Sequence, residues 1–364
     1  MTLIVCERLD LVPYRLPLTR PWSSARGVFR ERCGWLVIAE ANGVRGYGDC
    51  APLPEAGTEQ PDAAGRRLAQ YRTALLGARL DESLEALTRG PRSATPAADF
   101  ALDCALCDLA SQLAGTSLRR WLATTALDCV PVNGALGRLM ETTRADLSRA
   151  ALAGFAVVKL KVGMATPEQE LGHVLELTRT LPEGLRLRLD ANGAWDPGTA
   201  TRIITALREL PVESVEEPLR EPDWPILLGL QSLAPFPLAL DESLPALADT
   251  LNPARLPVRR VILKPAALGG LRRTLTLARR CQAAQVEVAI TGLVESAAGL
   301  WPTAQLAAAI ASPLPQGLAT ADWLRQDLGP PPHIHGGQLR LPDSAGSGFE
   351  PYEPGSTHSI RSGS

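Results

Sequence analysis

The chain has 364 residues, 45% of them hydrophobic and 21% charged, a globular balance that excludes a disordered or fibrous protein. Lysine and arginine total 37 against 39 aspartates and glutamates, a net charge of −2, so no global basic field points to nucleic acid. No apolar run approaches the roughly 18 residues of a membrane span, and the length suits two domains or one barrel with additions.

The start, MTLIVCERLDLV, holds an apolar stretch too short for a secretory signal and meets acidic residues at once, which predicts a cytoplasmic protein. Seven cysteines, an odd number, agree with a reducing compartment. Over the first 50 residues, LIVCERLDLVPYRLPL and WLVIAEANGVRGYGD are strand-like, and Asn42-Gly43 predicts a hairpin or meander. The polar segment between them, Ser23 to Arg32, reads as a lid loop. Its arginines Arg26, Arg30 and Arg32 are candidates to meet an anionic substrate. From 61 to 124 the pattern is helical, broken by GPRSATP, so the N-terminal third reads as α+β. Cys104 and Cys107 form a C-x-x-C, but they share helical spacing with Phe100 and have no second pair nearby. They read as small buried apolar side chains.

From about residue 129, short β-like runs recur: CVPVNGAL, FAVVKLKVG, LRLRLDANG, VESVEEP, PLALDES, VRRVILKP, VEVAITGL and SPLPQGLAT. Amphipathic stretches such as PEQELGHVLELTRTL lie between them. Eight strands alternating with helices predict a parallel (β/α) barrel. No G-x-G-x-x-G follows the first strand, which argues against a doubly wound nucleotide-binding sheet. After about 320 the chain turns rich in proline and glycine and is expected to return to the N-terminal part.

Barrel enzymes keep their sites at the C-terminal ends of the strands. Here the second strand ends in Lys159 and Lys161, the third in Asp190 followed by Asn192, and the fourth in Glu216 and Glu217. The fifth ends in Asp241 and Glu242, and the sixth in Lys264. Asp190, Glu216 and Asp241 stand on neighbouring strands and can converge. Three carboxylates so close repel one another unless a cation sits between them, and all-oxygen ligation suits Mg²⁺ or Mn²⁺. The second and sixth strands lie on opposite walls, so Lys161 and Lys264 face each other across the cavity. Lys159 shares the inward face of Lys161. This arrangement predicts removal of a proton α to a carboxylate, with a lysine taking the proton and a divalent ion meeting the charge.

KLKVG (159–163), LDANGAW (189–195), VEEPL (215–219), LDES (240–243) and ILKP (262–265) resemble the five barrel signatures of the enolase superfamily. The lysines on the second and sixth strands resemble those of its muconate-lactonizing subgroup. That resemblance implies a (β/α)₇β barrel at 126–320, with an α+β capping domain at 1–125 completed by 321–364. It implies Asp190, Glu216 and Asp241 as ligands of Mg²⁺ (or Mn²⁺), Lys161 and Lys264 as acid/base lysines, and Lys159 and Asn192 in support.

Within the subgroup, RGVFRERCGWLVI (26–38), GYGDCAPLPEAGTEQ (46–60), ITGLVESAAGL (290–300) and GLATADWL (317–324) resemble segments of the o-succinylbenzoate synthase family. This implies dehydration of 2-succinyl-6-hydroxy-2,4-cyclohexadiene-1-carboxylate through an enediolate, in menaquinone biosynthesis. Gly292, Leu293 and Glu295 would lie near the substrate, with Arg26 and Arg32 reaching it from the lid. Gly317 and Ala319 stand where dipeptide epimerases carry an Asp-x-Asp, and Thr291 and Gly292 where mandelate-racemase-type members carry a histidine base. The alternatives are an N-acylamino acid racemase or another cycloisomerase-like activity and, more remotely, a non-catalytic metal-binding protein. The expected partner is a small-molecule carboxylate, with neither nucleic acid nor membrane involved.

Overall fold

The computed structural model describes residues 4–24 and 27–353. The chain opens with three antiparallel strands in the order β1 (Arg8–Ser24), β2 (Gly27–Ala41) and β3 (Val44–Cys50). Asn42 and Gly43 turn the chain between β2 and β3 with φ of 51° and 73°, the left-handed pair that a two-residue hairpin needs. The segment expected as a loop is instead the far end of the β1–β2 ladder, where Trp22 pairs with Phe29 and Ser23 with Val28. Stacking of the Trp22 and Phe29 rings, 6.1 Å between centroids, explains why pairing resumes there after a register shift beyond Pro17.

Helices α1 (Pro61–Leu75), α2 (Leu80–Thr88), α3 (Pro96–Leu113) and α4 (Leu118–Leu122) follow. Helix α3 is buried on nearly every side, Cys104 and Cys107 included. It lies directly on β3, where a Cβ at Gly46 or Gly48 would overlap the carbonyls of Ala105 and Ala101. The glycines of the GYG run are therefore the condition for this close packing.

The parallel strands run in the order β5 (Gly134–Arg138), β6 (Val157–Lys161), β7 (Arg186–Asp190), β8 (Val212–Glu216), β9 (Leu238–Leu240), β10 (Arg260–Leu263) and β11 (Glu287–Ile290). The run CVPVNGAL divides in two. β4 (Cys129–Pro131) leaves the barrel to pair with β13 (Gln338–Arg340), itself joined to β12 (Ile334–His335), and only β5 enters the barrel. The eighth segment is reduced to two bridges, Gln316 to Val132 and Gly317 to Thr291, which join the ends of the sheet. Pro313 and Pro315 just before it lack the N–H groups that a longer ladder requires.

The surrounding helices are α5 (Arg144–Leu152), α6 (Pro167–Thr178), α7 (Pro197–Ala206), α8 (Trp224–Leu233), α9 (Leu244–Leu247), α10 (Pro265–Leu268), α11 (Leu271–Ala283) and α12 (Ala297–Ile310). Thr143 and Thr166 start α5 and α6 with capping boxes, and Asp196 and Asp223 cap α7 and α8. Inside the barrel, Arg188 is fully buried and bonds Glu213 (3.0 Å), Asn133 (3.1 Å) and the Pro315 carbonyl (3.1 Å). The tail does return to the N-terminal part: Arg325 N donates to Pro17 O (2.9 Å), and Ser347 N donates to Asp108 in α3 (2.6 Å). Among the described residues, no helix is long and apolar enough to cross a membrane.

Candidate active site

Strand register brings the charged strand ends together. Lys161 is paired with Asp190 in the β6–β7 ladder, and Asp190 with Glu216 in the β7–β8 ladder. Asp190, Glu216 and Asp241 are all buried, and each offers an oxygen within 4.8 Å of the others. Immediately after the strands the backbone turns left-handed, at Asn192 (φ 47°) and Glu217 (φ 39°). Hydrogen bonds hold both turns. Asn192 N donates to Asp190 Oδ1 (3.0 Å), and Glu217 Oε2 accepts from Asp241 N (2.6 Å) and from Ser243 Oγ (3.1 Å).

Three ammonium groups meet these carboxylates. Lys159 Nζ contacts Glu216 Oε2 and lies 2.9 Å from Asp190 Oδ2. Lys161 Nζ donates to Asp190 Oδ2 (2.7 Å) and Asn192 Oδ1 (2.8 Å). Lys264 Nζ, on the opposite wall, stands 2.6 Å from Asp241 Oδ1 and 3.3 Å from Glu242 Oε1. These are the only three lysines in the sequence; the other 34 of its 37 basic residues are arginines. Lysine can give up its proton where arginine cannot, so its confinement to this one cluster is itself a chemical signal.

The charges shape one another. Burial disfavours the charge on Lys159 and Lys264, but the facing carboxylates outweigh it and raise both. Burial likewise opposes ionisation of Asp190, yet Lys159 and Lys161 hold it well below the usual carboxylate range. Asp241 goes the other way, pushed up by burial and by the neighbouring Glu242 carboxylate. Both Asp241 oxygens are buried; Oδ1 meets the Lys264 ammonium, and Oδ2 has no hydrogen-bond partner among the described residues. A buried, unpartnered Oδ2 beside two further carboxylates, with no sulfur or imidazole, fits a hard divalent cation.

A cavity of about 1040 Å³, open to solvent, rises from this floor. Lys159, Lys161, Lys264, Asn192 and Glu242 line its base, and its walls include Trp22, Phe29, Leu53, Leu293 and Trp323. The Trp22 ring stands over Lys161 Nζ at 5.8 Å and meets Trp323 edge-on at 4.6 Å. Gly317 and Ala319 line the cavity without charge, as their residue types dictate.

Gly292 and Leu293 also reach the cavity, but Arg32 and Glu295 do not. Arg32 is 2% exposed, and its donors are taken by the carbonyls of Val294 (3.2 Å), Pro52 (3.1 Å) and Ala51 (2.5 Å). It therefore shapes the wall from behind, tying down Val294, a β-branched residue held at φ 59°. Glu295 is 1% exposed behind Gly292; its Oε2 accepts from Leu293 N (2.6 Å), and burial pushes its carboxyl up to about 7. Arg26 lies outside the described residues, and Arg30 is exposed on β2. Glu242, Trp22, Phe29 and Trp323 are cavity residues that motif reading did not assign; the D-E pair at 241–242 was the one available signal for Glu242.

The enolase C-terminal domain-like family model matches residues 142–354. The chain belongs to the enolase superfamily. Among its superfamily relatives, the o-succinylbenzoate synthase of Desulfotalea psychrophila is 28% identical over 366 residues, covering 92% of this chain and 97% of that one. The o-succinylbenzoate synthase of Thermosynechococcus vestitus is 32% identical over 249 residues, covering 65% and 68%. The muconate lactonizing enzyme of Pseudomonas fluorescens shares the fold, with a TM-score of 0.86 at 22% identity over 96% of this chain and 98% of that one. These neighbours fit the muconate-lactonizing subgroup of the superfamily.

Proposed function

We propose that this chain is an o-succinylbenzoate synthase, a Mg²⁺-dependent lyase. It would convert 2-succinyl-6-hydroxy-2,4-cyclohexadiene-1-carboxylate to the aromatic acid used in menaquinone biosynthesis. The observation that carries the reading is the approach of Lys161 and Lys264 to one cavity from opposite walls, beside the buried carboxylates Asp190, Glu216 and Asp241. A divalent ion bound to those carboxylates would stabilise negative charge on the substrate carboxylate as its α-carbon loses a proton.

Lys161 is assigned to take the proton from C1 and to return one to the departing C6 hydroxyl, so that H⁺ and OH⁻ leave as water. Positioned acid–base transfer of this kind is worth about 10²- to 10⁴-fold in rate. Lys264 keeps its proton and stabilises the charge that develops opposite. Trp22, Phe29, Leu53 and Leu293 form an apolar enclosure suited to the six-membered ring.

The same geometry favours a second reading, racemisation of N-acylamino acids, because a lysine is available to each face of an α-carbon. Parallel assays separate the two. The synthase reading predicts fast dehydration of the cyclohexadiene substrate and slow α-deuterium exchange into N-succinylamino acids. Fast exchange without dehydration overturns it in favour of the racemase.

A further inference from the structure

Lys161 and Lys264 belong to opposite walls, yet a single carboxylate joins them. Lys161 Nζ donates to Asn192 Oδ1 (2.8 Å), and Asn192 Nδ2 donates to Glu242 Oε1 (2.7 Å). Lys264 Nζ donates to the same Glu242 oxygen (3.3 Å). The Glu242 side chain is 5% exposed, and its other oxygen, Oε2, is buried without a hydrogen-bond donor among the described residues. Glu242 is not part of the three-carboxylate cluster.

Each lysine thus has one anchor inside that cluster and one outside it. Lys161 has Asp190 inside and Asn192 outside; Lys264 has Asp241 inside and Glu242 outside. A cation held by the cluster competes for the inside anchors. The outside anchors of both lysines lead to Glu242. We propose that Glu242 is a positioning residue that aims both lysines across the cavity, directly for Lys264 and through the Asn192 amide for Lys161. The bond to Glu242 also sets the orientation of that amide, turning Oδ1 toward Lys161. A flexible four-carbon side chain must be held in this way if its amine is to sit within a fraction of an ångström of a reacting carbon. The inference rests on the proposed roles of the two lysines, but its test does not depend on activity alone.

Because the chain has only three lysines, brief acetylation with acetic anhydride followed by peptide mass spectrometry reads each amine separately. With Mg²⁺ present, Glu242→Ala is expected to raise labelling of both Lys161 and Lys264 at least fivefold, with Lys159 changed less than twofold. Mg²⁺ affinity, measured by calorimetry, should change less than threefold. In the dehydration assay kcat should fall at least 50-fold with KM within threefold, and Glu242→Gln should recover part of the loss. Asn192→Ala, a second variant should the first fail to fold, should release Lys161 but not Lys264. Unchanged labelling of Lys161 and Lys264 in Glu242→Ala overturns the proposal, as does parallel loss of Mg²⁺ binding. A wild type inactive toward the cyclohexadiene substrate refutes the synthase reading, while the labelling result still decides the role of Glu242.

Discussion

Lys161 Nζ lies 2.7 Å from Asp190 Oδ2, joining the proposed base to a proposed metal ligand across adjacent strands. The contact follows from register, since the two residues are direct partners in the β6–β7 ladder and close their strands at the mouth of the barrel. The proposed base and a bound cation would therefore be coupled: a cation that engages Asp190 competes with Lys161 for the same oxygen.

Asp190→Asn removes one anionic ligand from the cluster while keeping its shape. Mg²⁺ affinity should fall by roughly 100-fold or more, and dehydration activity should fall with it. Isothermal titration calorimetry measures the first and steady-state kinetics the second. Wild-type Mg²⁺ affinity in this variant would remove Asp190 from the ligand set.

The end of the β1–β2 hairpin bears on substrate binding. Trp22 lines the cavity, packs edge-on against Trp323 and stands over Lys161. Trp22→Ala opens that wall, and KM should rise about tenfold, equivalent to about 1.4 kcal/mol of lost binding. Unchanged KM would mean that the hairpin end takes no part in holding the substrate.

Glu295 links the wall of the cavity to pH. Its folded carboxyl titrates near 7 against an ordinary 4.5, because burial disfavours the anion. The folded state therefore keeps a proton that the unfolded state releases between these values. This contribution to stability is present in full below about pH 4.5, declines as pH rises and levels off above about 7. At about 1.4 kcal/mol per unit, the loss reaches a few kcal/mol. Glu295→Gln escapes it, so the melting temperature of the variant relative to wild type should be several degrees higher at pH 8 than at pH 5. Thermal melts at both pH values check this, and an equal offset at both would contradict it.

Much of the site was legible because strand ends in a barrel converge. Lys159, Lys161, Asp190, Glu216, Asp241 and Lys264 are each readable from short motifs, and their places at the strand ends bring them to one floor. Arg32 and Glu295 were not legible in the same way. A guanidinium or carboxylate looks identical in sequence whether it faces a ligand or backbone groups, and these two face Val294, Pro52, Ala51 and Leu293. Glu242 stood among the strand-end carboxylates without a role, since alternation along a strand sends successive side chains to opposite faces. Strand β9 ends at Leu240, so that alternation no longer governs 241–242, and Glu242 reaches the cavity from the residue after Asp241. At the level of the fold, alternation predicted eight barrel strands; seven form ladders and the eighth is reduced to two bridges. It did not show that CVPVNGAL serves two sheets, because that depends on β13, some 200 residues later.

Turnover of 2-succinyl-6-hydroxy-2,4-cyclohexadiene-1-carboxylate by wild type, Lys161→Arg and Lys264→Arg, followed at the aromatic product, tests the proposed chemistry most directly. Arginine keeps the positive charge but cannot serve as a base. The wild type should turn over only with a divalent ion present. Lys161→Arg should lose about 10³-fold in kcat, and Lys264→Arg should retain measurable dehydration. Full wild-type turnover in excess chelator, or equal and complete loss of dehydration in both variants, would contradict the account.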